Sequence, residues 1–351
     1  MRRVVPLVLA LAACGSEETI GNLDGHTAWN QVPNNMVDVL WVVDNSCSMT
    51  EEQVTLASGF ATFVAQMEAS LTDFHIGVTT TSVSDDPNAG VLGVGVEEPD
   101  PVTGGAELQW LTNEDEYLAE FGERTAVGVG GSDKEMGLAA AAQALSPAML
   151  FSGPNAGFLR PEAQLLVAIV SDEEDCSDGG ALSGEPGEAC YKEKELLVPV
   201  HELVEDITSA KDDPEDVQVS AIVGPENTDD CQDTYPGRRY WEAAALTGGL
   251  IGNICDGDWS HVMEDLGLNA TGINTSFRLD EPGVKESLKV FVDDVEIEED
   301  SVNGWTYDDA TCFLTFHGTS VPPRESELHA NYTKVSGGSS RDCEEGVAGT
   351  L

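Results

Sequence analysis

Basic side chains are scarce in this 351-residue sequence: 16 Lys and Arg stand against 64 Asp and Glu, a formal net charge of -48 at pH 7. Nucleic acid and anionic lipid headgroups carry the same sign, so such a surface attracts neither. Histidine is sparse too, with 6 in the chain. None forms an H-E-x-x-H pattern and no C-x-x-C occurs, which removes the usual zinc frameworks. G-x-S-x-G, Walker A and dinucleotide fingerprints are missing as well, so no nucleophile elbow or phosphate loop marks an enzyme. Paired acids are so abundant that no couple stands out as a glycosidase pair. Past the first residues, no apolar run approaches the length that crosses a bilayer.

What is present begins at the amino terminus. Arg2 and Arg3 precede a short apolar run, Val4 to Ala10, and Leu11-Ala12-Ala13-Cys14 then gives way at once to polar Gly15-Ser16-Glu17-Glu18. This order resembles the lipobox of bacterial lipoproteins. The resemblance implies a signal peptide over 1–13, acylation of Cys14 and attachment to the cell envelope. Gly15 after the cysteine, in place of Asp, leans toward the outer membrane and leaves periplasmic and surface-facing orientations open. Residues 14–35, with Gly, Asn and Pro, read as a tether.

The chain then alternates between two periodicities. Val37 to Val43 is an almost wholly apolar run ending at Asp44, and predicts a buried strand. Glu51 to Ala69 predicts a helix with Val54, Phe60, Val64 and Met67 on its apolar face. Phe74 to Thr81 reads as a strand, followed by a loop up to Gly105. Further helices are expected over 137–145, 193–207 (across Pro199), 238–246 and 258–268, and strands over 165–170 and 217–223. This pattern predicts an α/β fold over 36–275, a doubly wound, mostly parallel sheet covered on both faces. From about Phe277 short strands and turns, including Asp293-Asp294, predict a small β-rich extension over 276–351.

In an open parallel sheet, ligands collect where strands end. The two most apolar strands finish in Asp44-Asn45-Ser46-Cys47-Ser48-Met49 and in Ser171-Asp172-Glu173-Glu174-Asp175. Carboxylates and hydroxyls are hard oxygen donors, suited first to Mg²⁺ and also to Ca²⁺ or Mn²⁺. Glu173, Glu174 and Asp175 read as solvated surface, with an additional Ca²⁺ site as the alternative.

Asp44-x-Ser46-x-Ser48, between an apolar strand and a helix and paired with Asp172, resembles the D-x-S-x-S motif of von Willebrand factor type A domains, over about residues 36–270. The resemblance implies a metal ion-dependent adhesion site. Ser46 and Ser48 would coordinate the ion directly, and Asp44 and Asp172 directly or through water. One position stays open for a carboxylate of an extracytoplasmic protein or other ligand. The family also places a threonine on a middle loop. Here Gly130-Gly131-Ser132-Asp133 offers Ser132 for that role, with Thr125 as a competitor. The expected function is metal-dependent, adhesion-type binding and not catalysis. The alternatives are a structural or assembly lipoprotein whose metal only stiffens loops and, further off, a metal-dependent hydrolase.

Eight cysteines are present, and seven remain once Cys14 is assigned to the anchor. Cys231 with Cys255 and Cys312 with Cys343 are the local pairings, leaving Cys47, Cys176 and Cys190. In the fold implied by the resemblance, Cys47 and Cys176 sit on neighbouring loops and are expected to form a disulfide, with a free thiol at Cys47 as the alternative.

Overall fold

A strand that is apolar on both sides of its pleat is stable only where both faces are covered. The computed structural model describes residues 24–335 apart from 32–34, 85–87, 94–108, 133, 183–187, 229–230, 232–233, 272, 310 and 324. The segment 1–13, Cys14, Asp133 and Cys343 therefore lie outside the described residues. After β1 (Asp24–Asn30) come β2 (Met36–Val43), β3 (Asp73–Thr80), β4 (Trp110–Thr112), β5 (Gln164–Ser171), β6 (Val217–Val223) and β7 (Ile251–Asn253). The last six form one sheet in the order β4-β3-β2-β5-β6-β7, with β4 antiparallel at one edge and every other pairing parallel. The two strands with the most apolar sequences, β2 and β5, are neighbours at its middle.

Helices α1 (Thr50–Ala69), α2 (Tyr117–Thr125), α3 (Gly137–Ala144), α4 (Pro147–Phe151), α5 (Glu188–Lys192), α6 (Val200–Thr208), α7 (Arg238–Thr247) and α8 (Ser260–Asn269) lie between and after these strands. Alternate residues of β2 enter different cores. Val37, Val39, Trp41 and Val43 pack with α1, Phe121 of α2 and Met263 and Leu266 of α8. Leu40 and Val42 pack with the alanine-rich face of α3 and with residues of α6 and α7. The chain is thus a mixed α/β structure with helices on both faces of its main sheet. The expected helix over 193–207 is broken: α5 and a 3-10 turn at Lys194–Leu196 come first, and α6 starts only after Pro199. Proline has no N–H for the helical ladder and clashes with the turn before it, so it precedes a helix more easily than it sits inside one.

At the amino-terminal end of β2, Asp38 is fully buried. Arg160 donates to it twice, from Nε to Oδ1 at 2.8 Å and from its backbone N–H to Oδ2 at 2.6 Å, and from Nη1 to Asp73 Oδ1 at 2.7 Å. One arginine thereby ties the segment before β5 to β2 and β3, and compensates a carboxylate that burial would otherwise penalise heavily.

The remaining strands, β8 (Ser276–Arg278), β9 (Lys289–Val292), β10 (Val295–Ile297), β11 (Trp305–Tyr307), β12 (Phe313–Phe316) and β13 (Glu327–Thr333), form two antiparallel sheets around one core that includes Phe277, Val290, Leu314, Phe316 and Leu328. Asp293 and Asp294 both have positive φ, 48° and 64°, and make the tight turn between β9 and β10. The four-stranded sheet reads β1-β13-β9-β10. Residues 24–30 are therefore not part of a tether; Asp24 to Asn30 pair in register with Thr333 to Glu327. The α/β unit is inserted between the first strand of the β unit and the rest of it. Gln31 fastens the two crossings: its Nε2 donates to the carbonyls of Asn274 and Pro322, and its Oε1 accepts from Asn274 N.

Candidate metal centre

The site is built at the carboxyl end of β2. Asp44 is still held by the sheet, its N–H donating to Val170 O at 2.9 Å, and its side chain is fully buried. Ser46 N donates to Asp44 Oδ1 at 2.7 Å and Ser171 Oγ donates to Asp44 Oδ2 at 2.6 Å. The first bond turns the chain back over the strand end, a task to which a short acidic side chain is suited. It brings the hydroxyls of Ser46 and Ser48 to 3.0 Å from each other. On α1 the inward position belongs to Gln53 and not to Val54, which is 68% exposed. Gln53 Nε2 donates to Asp44 O and to Gly128 O, so a polar residue on the helix face joins the β2 loop to the middle loop. The apolar spacing of α1 did not reveal this.

The second loop leaves β5. Asp172 is buried, lies beside the Ser48 hydroxyl, and has an Oδ1 with no hydrogen-bond partner. Two of the acids after it, Glu174 and Asp175, are anchors and not the solvated surface the sequence implied. Glu174 accepts from the backbone N–H groups of Arg238 and Arg239 at the start of α7. Asp175 accepts from Leu138 N at the start of α3 and is paired with Arg239 Nε at 3.0 Å. Carboxylates at helix amino termini satisfy N–H groups that the helix leaves open.

The third element is the loop before α3. Ser132 lies beside the β2 loop: its N–H donates to Ser82 Oγ, which donates to Asn45 Oδ1, and Gly131 N donates to Asn45 O. The Ser132 hydroxyl accepts from Lys134 N at 3.0 Å. Thr125 spends its hydroxyl on its own helix, donating to Phe121 O. The residue of this loop whose side chain acts on Asp44 is Glu135, buried, accepting from Thr81 Oγ1 and close enough for the two carboxyls to oppose each other's ionisation. Its Oε1 has no hydrogen-bond partner. Sequence reasoning missed Glu135, because a single acid in the loop before a helix carries no signal of its own in a chain with 64 Asp and Glu. Ser171 and Thr81, ordinary strand-end hydroxyls in sequence, gain their roles only from this convergence.

Three carboxyl groups in so small a volume oppose one another's ionisation. Burial, and then the charge of Asp44, pushes Glu135 up to about 10 and Asp172 up to about 7. Burial raises Asp44 as well, against the hydrogen bonds from Ser171 and Ser46. Among the described residues no group of three or more His, Cys, Asp and Glu side chains is arranged to hold a metal ion. A cation here would therefore rely on hydroxyls together with carboxylates. The donor set fits one: Asp172 Oδ1 and Glu135 Oε1 are buried acceptors lacking a donor, and the Ser46 and Ser48 hydroxyls lie by Asp44 and Asp172.

The cysteines differ from expectation at this site. Cys176 is bonded to Cys190, and Cys47 is free and exposed. Cys176 is buried behind the second loop, its N–H donating to Glu135 O, whereas Cys47 stands at the exposed crest between the two serines. Neighbouring loops do not suffice for a disulfide when the side chains point to different sides of them. Cys231 is bonded to Cys255, as expected, and Cys312 is disulfide-bonded, while Cys343 is outside the described residues.

No protein-family model matches the chain, and no curated protein matches it in sequence. Among solved structures it is similar to proximal thread matrix protein 1 from the mussel byssus, with a TM-score of 0.36 and 11% identity over 68% of this chain and 50% of that one. It is also similar to the pilus adhesin SpaC from Lactobacillus rhamnosus GG in its open conformation, with a TM-score of 0.38 and 12% identity over 88% of this chain and 40% of that one. The chain spans half or less of the length of each.

Proposed function

We propose that the α/β unit is a von Willebrand factor A-like domain that binds a divalent cation, Mg²⁺ first with Ca²⁺ or Mn²⁺ as alternatives, and through it a carboxylate of an extracytoplasmic partner. The observation that carries this reading is the pair of buried, donorless oxygens, Asp172 Oδ1 and Glu135 Oε1, on two carboxyls that both feel the charge of Asp44. Ser46, Ser48 and Asp172 would hold the ion with Asp44, and Glu135 takes a place that Ser132 or Thr125 was expected to fill. The cation would supply the positive charge that this acidic pocket requires, and a carboxylate from outside would complete its shell. Ser171 and Gln53 keep Asp44 and its loop in position. In this reading the function is binding and not catalysis. Acylation of Cys14 would hold the domain at the bacterial outer membrane.

Calorimetric titration of Mg²⁺, Mn²⁺ and Ca²⁺ into the soluble chain beginning at Gly15 tests the proposal. Saturable binding that disappears in Asp44→Asn and Ser48→Ala, with circular dichroism unchanged, is the expected result. Equal binding in wild type and both variants would place the ions on the general acidic surface and reject the site.

A further inference from the structure

Two tyrosines stand exposed on the rim of this site. Tyr191 and Tyr235 are 41% and 50% exposed, with ring centroids 5.4 Å apart and planes inclined by 37°. Both belong to the Asp172 loop by contact. Tyr235 donates its backbone N–H to Asp172 O at 2.7 Å, and the Tyr191 hydroxyl lies close to the backbone of Glu174.

Their positions are held firmly. Tyr191 directly follows Cys190, bonded to Cys176 beside the second loop. Tyr235 lies between Cys231, bonded to Cys255, and Pro236, which bridges to Gly224 at the end of β6. Tyr191 is thus next to a disulfide, while Tyr235 is held by its own backbone bond to Asp172 and by the bridge of the following Pro236. A large aromatic side chain kept exposed in a rigid frame can bind with little further loss of conformational freedom.

The charge around the pair selects what it can bind. Glu173 and Glu174 are near enough to Tyr191 to act on its hydroxyl. The two neighbouring arginines are already engaged, Arg238 with Glu226 at 2.7 Å and Arg239 with Asp175 at 3.0 Å. Aromatic faces in a negative field attract cations, and tyrosine is among the residues that dominate protein interfaces. A uronate-bearing polysaccharide could also offer a carboxylate and stack on the rings, but it is a polyanion facing a chain of net charge -48.

We infer that Tyr191 and Tyr235 form the second half of the binding surface, and that the partner is a protein segment offering an arginine or lysine close to the carboxylate directed at the cation. This rests on the metal-dependent reading for the carboxylate half only.

An array of synthetic peptides tests it, each with one Asp and with every amino acid in turn at the neighbouring positions. The array is probed with the soluble chain in Mg²⁺ and in EDTA, and polygalacturonate fragments are titrated in parallel. Peptides combining Asp with Arg or Lys should be retained in Mg²⁺. Tyr191→Ala and Tyr235→Ala should each weaken them about tenfold with Mg²⁺ affinity unchanged, and Tyr235→Phe should bind like wild type. Retention that survives EDTA and Asp44→Asn but is lost in the tyrosine variants would reject the metal reading and keep the aromatic surface. Indifference to the tyrosine variants, no preference for basic neighbours, no retained peptide, or preferential binding of polygalacturonate would each overturn the inference.

Discussion

The Glu135 and Asp44 carboxyls lie close enough to act on each other's ionisation, so a loop that precedes a helix on one face of the sheet supplies a carboxyl to the end of the central strand β2. Both groups are buried. Two acids in contact in a low-dielectric pocket must share a proton or a cation. The first consequences concern that choice.

Glu135→Gln keeps the shape and the hydrogen bond from Thr81 while removing the charge. Mg²⁺ affinity should fall on the order of 10- to 100-fold, by analogy with losses of groups that support a metal site. At pH 8 without metal the variant should resist urea better than wild type, because Gln needs no proton to be neutral. Urea midpoints with and without Mg²⁺ check both parts, and a variant that binds Mg²⁺ as wild type does would remove Glu135 from the ligand set.

The pH dependence follows with a definite sign. Glu135 rises from 4.5 in the unfolded chain to about 10, and Asp172 from 3.8 to about 7. Between those limits the folded state holds protons that the unfolded state has released, so stability is lost as pH rises. Metal-free protein should lose stability from about pH 4 upward, with the Asp172 part complete by about pH 7 and the Glu135 part continuing to about pH 10. Mg²⁺ should flatten this decline, and its binding should release protons, measurable by calorimetry at pH 6.5 in buffers of different ionisation enthalpy. Binding without proton release would contradict the assignment.

Arg160→Leu would leave Asp38 buried without its main partner. Destabilisation of about 3–5 kcal/mol is expected, read by urea unfolding. Mg²⁺ affinity of the folded fraction should not change, since Asp38 lies at the other end of β2 from Asp44. Replacing the pair together, Asp38→Leu with Arg160→Met, should recover much of the loss.

A chain shortened to begin at Met36 would lack β1 and Gln31. The edge of β13 would be bare over Glu327–Thr333, and the groups at Asn274 and Pro322 that Gln31 satisfies would lose their partner. An uncovered strand edge invites pairing with another molecule. Size-exclusion chromatography should show the shortened chain associating, whereas a chain beginning at Gly15 stays dispersed. Equal behaviour of the two would mean β1 contributes little.

Local patterns in the sequence already determined the four central strands and most of the helices of the α/β unit, because burial on two faces demands continuous apolar runs and helix faces demand their own period, whereas the three-residue edge strands β4 and β7 carry no such run. They determined the acid and hydroxyls at the end of β2 and the acid after β5 for the same reason: strand ends are where polar side chains can resume. The Asp293-Asp294 turn was also legible. Only the tertiary structure decided what meets at a distance. Sheet order carries Glu135 and Ser171 to Asp44. The backbone turn at Asp44 exposes Cys47 while Cys176 is buried next to Cys190. β1 pairs with the last strand because the α/β unit is inserted between them. None of these has a periodic signal of its own, since each is a contact between segments far apart in the chain, fixed by how the sheets and helices pack.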